Sequence, residues 1–296
     1  MNAQRVRFFL GCTCLCLPCL SGGSTSVDIC REPASESHLT IAYYDQEAAL
    51  LEGNVGETNL DMYSTDFLFR SDGRWNFGVG HRSTVLHVER LELQTNGYLH
   101  TFFFPVHRLN RSADKRFRLS IAPALSASSN VVTDSDEYSA DAVQLLVAAV
   151  WNRRMSDRVD LHYGVCGDHR FGAYQIYPVI MSTWRVHPDW TIELGFPVSQ
   201  ITHRLSKSLT SFLRVTPNGN EWFVKDKSLT KHSQLVYEAY LLEWALNWRA
   251  GENLALSASV GRDFRRRYEM TLLDESRVRL SGDPATRIGV NLGWYF

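Results

Sequence analysis

The last ten residues, Arg287-Ile-Gly-Val-Asn-Leu-Gly-Trp-Tyr-Phe296, alternate between apolar and polar or small side chains. A β-strand directs successive side chains to opposite faces, so one face of this segment is apolar. That face carries Ile288, Val290, Leu292, Trp294 and Phe296. The opposite face carries Arg287, Gly289, Asn291, Gly293 and Tyr295. The pattern predicts a strand between an apolar phase and a polar or crowded interior.

A strand with apolar residues at alternate positions and a final phenylalanine resembles the closing strand of Gram-negative outer-membrane β-barrels. The resemblance implies contact with the barrel-assembly machinery through the apolar set from Ile288 to Phe296, which would act as the assembly signal. It implies the outer membrane as location and the β-barrel as architecture, and it does not identify a transported solute.

The start of the chain predicts export. Arg5 and Arg7 precede an apolar run over 8–20, and small residues follow at 21–24, which is the layout of a secretory signal peptide. The run is too short for a membrane helix, which needs about 20 residues. We therefore expect a signal peptide over 1–23, an N-terminal segment over 24–37, and location in a Gram-negative outer membrane. A lipoprotein anchor is the competing interpretation, because Cys12, Cys14, Cys16 and Cys19 lie in this segment.

Composition excludes one function class. The formal net charge is −1 and 21% of residues are charged, whereas a nucleic-acid-binding protein needs a concentrated basic excess. Hydrophobic residues make up 44% of the chain, and the mean hydropathy is −0.22. Transmembrane barrels have such values because apolar and polar residues are interleaved.

Beyond residue 57, alternating segments are separated in turn by tight polar turns and longer loops. The tight turns are predicted at 71–74, 110–114, 153–157, 187–189, 205–207 and 250–252. With a first strand at 38–48 and the terminal strand, they give an all-β chain of about 14 strands, or 12 if one weak pair is lost. We expect a single transmembrane antiparallel up-and-down barrel over 38–296. The longest loops, near 127–138, 216–233 and 265–285, would face outward.

Aromatic residues recur beside these turns, which suits the membrane interface. They are Trp75, Phe117, Trp151, Trp190 and Trp248. The alternative is that they cap the core strands of a soluble β-sandwich.

The C-terminal half resembles a family of proteobacterial outer-membrane barrels known only as a domain of unknown function. The residues that carry the resemblance are Tyr177-Pro178, Trp190-Thr-Ile-Glu-Leu-Gly-Phe-Pro197, His203-Arg-Leu-Ser206 and Gly261-Arg-Asp-Phe-Arg265. His203 stands where that family has tyrosine. The resemblance implies the barrel fold and the outer membrane, without an activity.

The sequence gives little support for catalysis or for a metal site. Asp160 and His162 share one strand face, but residues two apart on a strand are about 7 Å apart, too far for a direct hydrogen bond. The histidines lack the spacing at which side chains converge on one ion. We expect a protein that is not an enzyme and needs no cofactor, with an outer-membrane hydrolase as the least favoured alternative.

Three ionisable residues fall on polar strand faces and are predicted to lie in the lumen: Glu193, Arg204 and Glu243. Such groups either line a wet passage or pair with one another in a filled interior. Glu193 and Arg204 lie on adjacent strands and are candidates for an ion pair across one hairpin.

A basic run, Arg265-Arg266-Arg267, precedes an expected outer loop. Guanidinium groups suit phosphate, so the run is a candidate contact for lipopolysaccharide or an anionic solute. The alternative is a solvated run paired with nearby acids.

Cys30 and Cys166 are the only cysteines after the predicted signal peptide. A disulfide is permitted outside the cytoplasm, but it would require the N-terminal segment to enter the barrel as a plug. Two free thiols are the alternative.

The favoured hypothesis is a channel or transporter for a small solute, in contact with outer-membrane lipid and lipopolysaccharide. The alternative is a non-conducting structural or surface-interaction barrel with a filled lumen.

Deleting Phe296 should abolish assembly into the outer membrane, because the final aromatic residue is the strongest element of the expected signal. Fractionation measures this, with assembled protein recognised by heat-modifiable migration on a gel. Deleting one residue at an exposed loop position serves as the control. Normal assembly of the Phe296 deletion would contradict the assignment.

Overall fold

The alternating segments become β-strands that close into one antiparallel barrel in a computed structural model of the protein. The structure describes residues 28–31, 36–51, 57–71, 74–88, 98–111, 115–133, 139–225, 232–271 and 277–296. The strands are β1 (His38–Leu50), β2 (Glu57–Ser71), β3 (Trp75–Val88), β4 (Tyr98–Phe103), β5 (Val106–Arg111), β6 (Lys115–Ser128), β7 (Val143–Arg154), β8 (Val159–Asp168), β9 (Gln175–His187), β10 (Trp190–Phe196), β11 (Ser199–Arg204), β12 (Leu209–Pro217), β13 (Asn220–Lys225), β14 (His232–Ala250), β15 (Leu254–Thr271), β16 (Arg277–Gly282) and β17 (Ala285–Tyr295). A short helix, α1, spans Ser129–Thr133, and a 3-10 turn spans Ala140–Ala142.

These seventeen segments form fourteen barrel strands within the described residues. Three barrel strands are interrupted: β4 continues into β5, β12 into β13, and β16 into β17. Proline stands at two of the interruptions, as Pro105 and Pro284, where its missing N–H breaks the hydrogen-bond ladder. The predicted all-β barrel of about 14 strands is confirmed.

The barrel closes between its first and last strands. β1 and β17 pair antiparallel from His38 opposite Tyr295 to Gln46 opposite Arg287. Closure removes the sheet edges, which a lipid environment requires because it supplies no hydrogen bonds to backbone groups.

Strands end and begin beside each of the six predicted tight turns, and the four that lie wholly within the described residues are confirmed. Residues 72–73 and 112–114, in the other two, lie outside the described residues. All six lie at one end of the barrel, together with the start of β1 and the end of β17. We call this the tight-turn end, and the opposite end the loop end.

The outside of the barrel is apolar. The predicted outward residues of the terminal strand are 44% to 57% exposed, while Arg287 and Asn291 are 3% and 4% exposed on the inside. The aromatic residues beside the tight turns also face outward, and the ring centroids of Phe117 and Trp151 are 4.8 Å apart. A surface of this kind is stable against lipid.

Two expected outer loops are instead partly β-structure, so these assignments were wrong. The range 216–233 contains β13, whose Trp222, Phe223 and Val224 are all buried, and 265–285 contains the end of β15 and all of β16. The apolar alternation fails in β13 because both of its faces are covered. The third expected loop, 127–138, contains α1.

The predicted signal peptide lies outside the described residues. Among the described residues, no helix has the length and apolar character needed to cross a membrane.

One inward glycine is required by close packing. A Cβ added at Gly289 would lie 2.2 Å from the Tyr44 ring, which covers this position from the neighbouring strand. Arg287 stacks on the other part of the same ring, 4.8 Å from its centroid. Tyr44 therefore fills space that the terminal strand leaves open.

Replacing Gly289 with alanine should lower the free energy of unfolding by about 1–3 kcal/mol, because Tyr44 must shift in a packed interior. Urea titration of the protein in detergent measures this. Gly282→Ala is the matched control, since its Cβ would meet neighbours only at 3.5 Å. Equal stability of the two variants would contradict the packing argument.

Candidate functional site

A short N-terminal segment, residues 28–31, lies inside the barrel; we call it the plug. Ile29 and Cys30 are 1% and 3% exposed. They pack against inward residues of five strands, including Phe103, Leu146 and Val179. The plug is thus part of the buried interior.

A disulfide attaches the plug to the wall. Cys30 is bonded to Cys166 on β8, with 5.9 Å between their Cα atoms and 136 residues between them in sequence. The sequence left this pairing and two free thiols as alternatives, and the structure contains the disulfide together with the plug that it requires.

Arg118 on β6 holds the plug backbone. Its guanidinium donates to the carbonyl oxygens of Ile29, at 2.6 Å, and Cys30, and to the Ser120 hydroxyl at 3.1 Å. Arg118 is only 6% exposed, and a buried charge is tolerated when its donors are satisfied in this way.

A second buried arginine joins the plug to the end of β8. Arg170 forms an ion pair with Asp28 and donates through Nε to Asp168 at 3.0 Å. The Tyr177 hydroxyl donates to the same Asp168 carboxylate at 2.8 Å. Asp168 and Arg170 are 0% and 1% exposed, so the network is almost completely desolvated.

The pKa of Asp28 reports the strength of this contact. Burial is the largest single influence and raises the pKa, but the charge and hydrogen bond of Arg170 together with those of Arg31 outweigh it and lower the pKa to about 2. Because the folded-state pKa is depressed, the stabilisation is present above the ordinary pKa of 3.8 and is lost as the pH falls through about 2.

A cavity of about 130 Å³ lies beside the plug. Its apolar lining includes Leu109, Val150, Met181, Pro197 and Val198, and its polar lining includes Asn152, His162, Arg116 and Glu193. Arg116 and Asn152 lie near tight turns, whereas Pro197 and Val198 form the tip of the β10–β11 hairpin. The cavity therefore extends from the tight-turn end to this hairpin tip.

The loop half of the lumen is filled by a second group of buried side chains, the outer cluster. Its largest members are Trp222, Tyr237, Tyr268, Tyr44, Met62 and Leu60, each at most 3% exposed. Trp222 comes from β13, which reaches across to β6 through a single bridge between Phe223 and Ala127. Within the described residues, β13 and the outer cluster close the direct path along the barrel axis.

The structure places all three predicted lumen residues on inward strand faces, but it separates Glu193 from Arg204. The register puts Gln200 opposite Glu193, while Arg204 lies beside the next tight turn. Glu193 instead lies 3.5 Å from Arg31 of the plug, so the candidate ion pair between Glu193 and Arg204 does not form. Glu243, 2% exposed, pairs with Arg214.

The basic run does not form one patch. Arg265 is the extra residue of a bulge, with φ of 52°, where β15 pairs with β14. The bulge sends Arg266 inward, 1% exposed and hydrogen-bonded to Tyr268, whereas Arg265 and Arg267 stay exposed. Arg267 lies 3.4 Å from Glu238, which the sequence did not indicate as its partner.

The acid and histidine on β8 have separate partners. Asp160 pairs with Arg185, and His162 Nε2 lies 3.0 Å from the Thr183 hydroxyl. Asp160 therefore does not orient His162 as a general base.

One grouping in the described part of the chain has the atom types of a metal site: Cys30, Cys166 and Asp168, with ligand atoms within 4.8 Å of one another. Metal ligation by cysteine requires a thiolate, and the disulfide leaves neither sulfur in that form.

Before reduction, the mature chain should contain one covalent cross-link between Cys30 and Cys166, and reduction should break it and give two thiols. Non-reducing proteolysis is expected to give one peptide pair that joins Cys30 to Cys166, and thiol titration of unfolded protein lacking 1–23 should find no free thiol.

Arg118→Gln should speed reduction of the disulfide roughly tenfold, because hydrogen bonds from a charged group contribute about 1.5–3 kcal/mol. Exposed Arg154→Gln is the control, and two free thiols in the mature protein would refute the attachment.

Comparisons with known proteins give a family and several solved structures to which the chain is similar. The chain is similar to the COG4313 outer membrane channel from Pseudomonas putida F1, at 7% identity and a TM-score of 0.46, covering 91% of this chain and 99% of that one. It is also similar to the P. putida toluene transporter TodX, at 8% identity and 0.41, covering 89% and 91%, and to the KdgM porin in complex with disordered oligogalacturonate, at 9% and 0.38, covering 87% and 99%. No curated protein matches. A family model matches residues 111–276, more than half of the sequence, and the chain therefore belongs to the family described as Domain of unknown function (DUF6268).

Proposed function

We propose that this protein is an outer-membrane channel for a small solute and that the plug, together with β13 and the outer cluster, holds it closed. The exposed apolar belt and the series of aromatic residues beside the tight turns support insertion in the membrane. Short turns face the periplasm in barrels of this kind, so the cavity would open toward the periplasm.

The observation that carries the proposal is how the lumen is filled. A barrel of about 14 strands is wider than one whose own side chains fill the interior, which is the case near eight strands. Here the additional space is taken by the plug and by β13, with a cavity left beside the plug. The plug can be displaced without breaking the wall, whereas β13 is paired with β14.

A structural barrel with a filled lumen is the second candidate. The outer cluster favours it, because fourteen buried hydrophobic residues form one continuous group across the loop half. The two functions differ in one property: only a channel conducts when the plug is displaced and the wall stays closed.

Two partner assignments remain proposals. Arg265 and Arg267 are exposed at the loop end, where lipopolysaccharide phosphates would lie, and guanidinium groups suit that contact. The outward face of β17, from Ile288 to Phe296, would be the segment that the barrel-assembly machinery recognises.

Planar-bilayer recording of the double variant Cys30→Ser/Cys166→Ser in an Arg118→Gln background tests the channel. The open fraction should rise by roughly two orders of magnitude over the wild type, since a disulfide of this kind contributes about 2–4 kcal/mol and each 1.4 kcal/mol is tenfold.

The control is Arg154→Gln, which removes an arginine at the tight-turn end without touching the plug. Heat-modifiable migration verifies that each variant is folded. A folded triple variant that stays silent at all voltages would reject the channel and favour the structural barrel.

A further inference from the structure

The wall of the barrel is incomplete above the β10–β11 hairpin. β10 and β11 contain 7 and 6 residues, whereas β9 contains 13. The ladder between β9 and β10 ends where Phe196 meets Ile180, so residues 175–179 pair only with β8 among the described strands. The pairing of β11 with β12 ends at Ser199 opposite Val215. We call the resulting gap between β9 and β12 the wall break.

The width of the wall break follows from the spacing of the strands. Where β10 and β11 are missing, β9 and β12 are separated by three strand spacings, roughly 14 Å between their axes. The residues around it face lipid: Ile176, Ile180 and Leu194 are 71%, 59% and 52% exposed. A gap between lipid-facing residues must be covered, because lipid offers no hydrogen-bond partners to the backbone groups that the gap leaves unpaired.

Residues 169–174, which follow β8, cover the break; we call them the lid. Gly172 has φ of 90°, and the lid approaches Gly219 so closely that a Cβ there would lie 2.6 Å from the Gly172 nitrogen. His169 lies 3.1 Å from the Glu221 carboxylate, and Arg170 joins the plug network. Both of these anchors lie on the inner side of the lid.

One side chain of the lid spans the break itself. The Phe171 ring lies 5.5 Å from the ring of Phe196 at the hairpin tip, 4.9 Å from Tyr177 on β9 and 6.3 Å from Tyr240 on β14. Phe171 is half-buried and packs on the plug side against the group that contains Ile29 and Cys30. Its ring therefore separates the interior of the barrel from the lipid.

The cavity reaches this point from the inside. Pro197 and Val198, which follow Phe196 in the hairpin tip, line it, and so does Arg170, the residue before Phe171. Along the axis, the described residues close the way with β13 and the outer cluster. Toward the lipid, the cavity is closed by the contacts of the Phe171 ring with other aromatic rings, among them that of Phe196.

We propose that the wall break is a side port through which small, mainly apolar molecules pass between the cavity and the membrane. This rests on the proposed channel function and names its solute class. The cavity has room for on the order of ten non-hydrogen atoms. Leu109, Val150, Met181, Pro197 and Val198 give the cavity an apolar wall, while its polar groups, which include Asn152, His162, Arg116 and Glu193, can bind a polar group of the solute. The port leads into acyl chains. A strongly hydrophilic solute does not fit such an exit.

Photolabelling in lipid vesicles tests the port. An apolar adamantyl diazirine is dissolved in the bilayer and photolysed, so that the carbene left after loss of nitrogen inserts into nearby bonds, and mass spectrometry locates the label. In Phe171→Ala, labelling of Met181 and Val198 should rise roughly tenfold over the wild type, the factor that corresponds to the loss of one aromatic ring pair. Phe196→Ala, which removes the opposing ring, should give the same result.

The controls separate a side port from general loosening. Phe77→Ala removes a lipid-facing ring on β3, away from the break, and should leave the labelling of Met181 unchanged. A sulfonated diazirine, supplied in water, should label the cavity equally in the wild type and in Phe171→Ala.

Two results would overturn the side port: unchanged apolar labelling in both folded ring variants, or an equal rise with the sulfonated reagent. The plug stays in place in this experiment, whereas the channel test displaces it. Silent plug variants together with lid-dependent labelling would therefore reject conduction along the axis and keep the side port.

Discussion

Closure between β1 and β17 is the interaction on which the rest of the structure depends. Nine residue pairs, from His38 with Tyr295 to Gln46 with Arg287, convert an open sheet into a barrel. In lipid, an open edge would leave a row of unsatisfied backbone groups, each costing several kcal/mol. Closure also fixes which faces of the two end strands point inward, so Tyr44 meets Gly289 and Arg287 inside the barrel while the apolar set of β17 meets lipid.

Closing this many strands creates an interior that the wall side chains do not fill, and the chain fills it with segments that leave the wall. The plug and β13 bring backbone into the lumen, and backbone groups need partners there. Arg118 satisfies two plug carbonyls, and Ser126 and Gln144 donate to the Glu221 carbonyl oxygen in β13. Buried polar side chains of the wall thus serve as partners for the inserted backbone.

The sequence predicts the wall far better than the lumen. Side chains alternate between the two faces of a strand, so outward residues such as Trp151 and Val290 can be predicted from their spacing alone. The turns can be predicted because the alternation stops at them. Arg118 was detectable in principle, as a charge at an inward position between Phe117 and Leu119. The register of Glu193 with Gln200, and the bulge that turns Arg266 inward, depend on pairing between strands. Arg170 and Phe171 lie beyond the end of β8, where no periodic pattern operates, so their roles appear only in three dimensions.

The plug and the lid meet at one buried network, which links the interior to the wall break. Asp168 ends β8 and receives hydrogen bonds from Tyr177 of β9 and from Arg170 of the lid, and Arg170 continues to Asp28 of the plug. Removing Asp28 would leave Arg170 with one carboxylate partner instead of two in a desolvated site, where an incompletely paired charge is costly. Displacement of the plug is therefore expected to weaken the position of Phe171, the next residue of the lid. On this geometry, the occupancy of the lumen and the closure of the wall are energetically coupled.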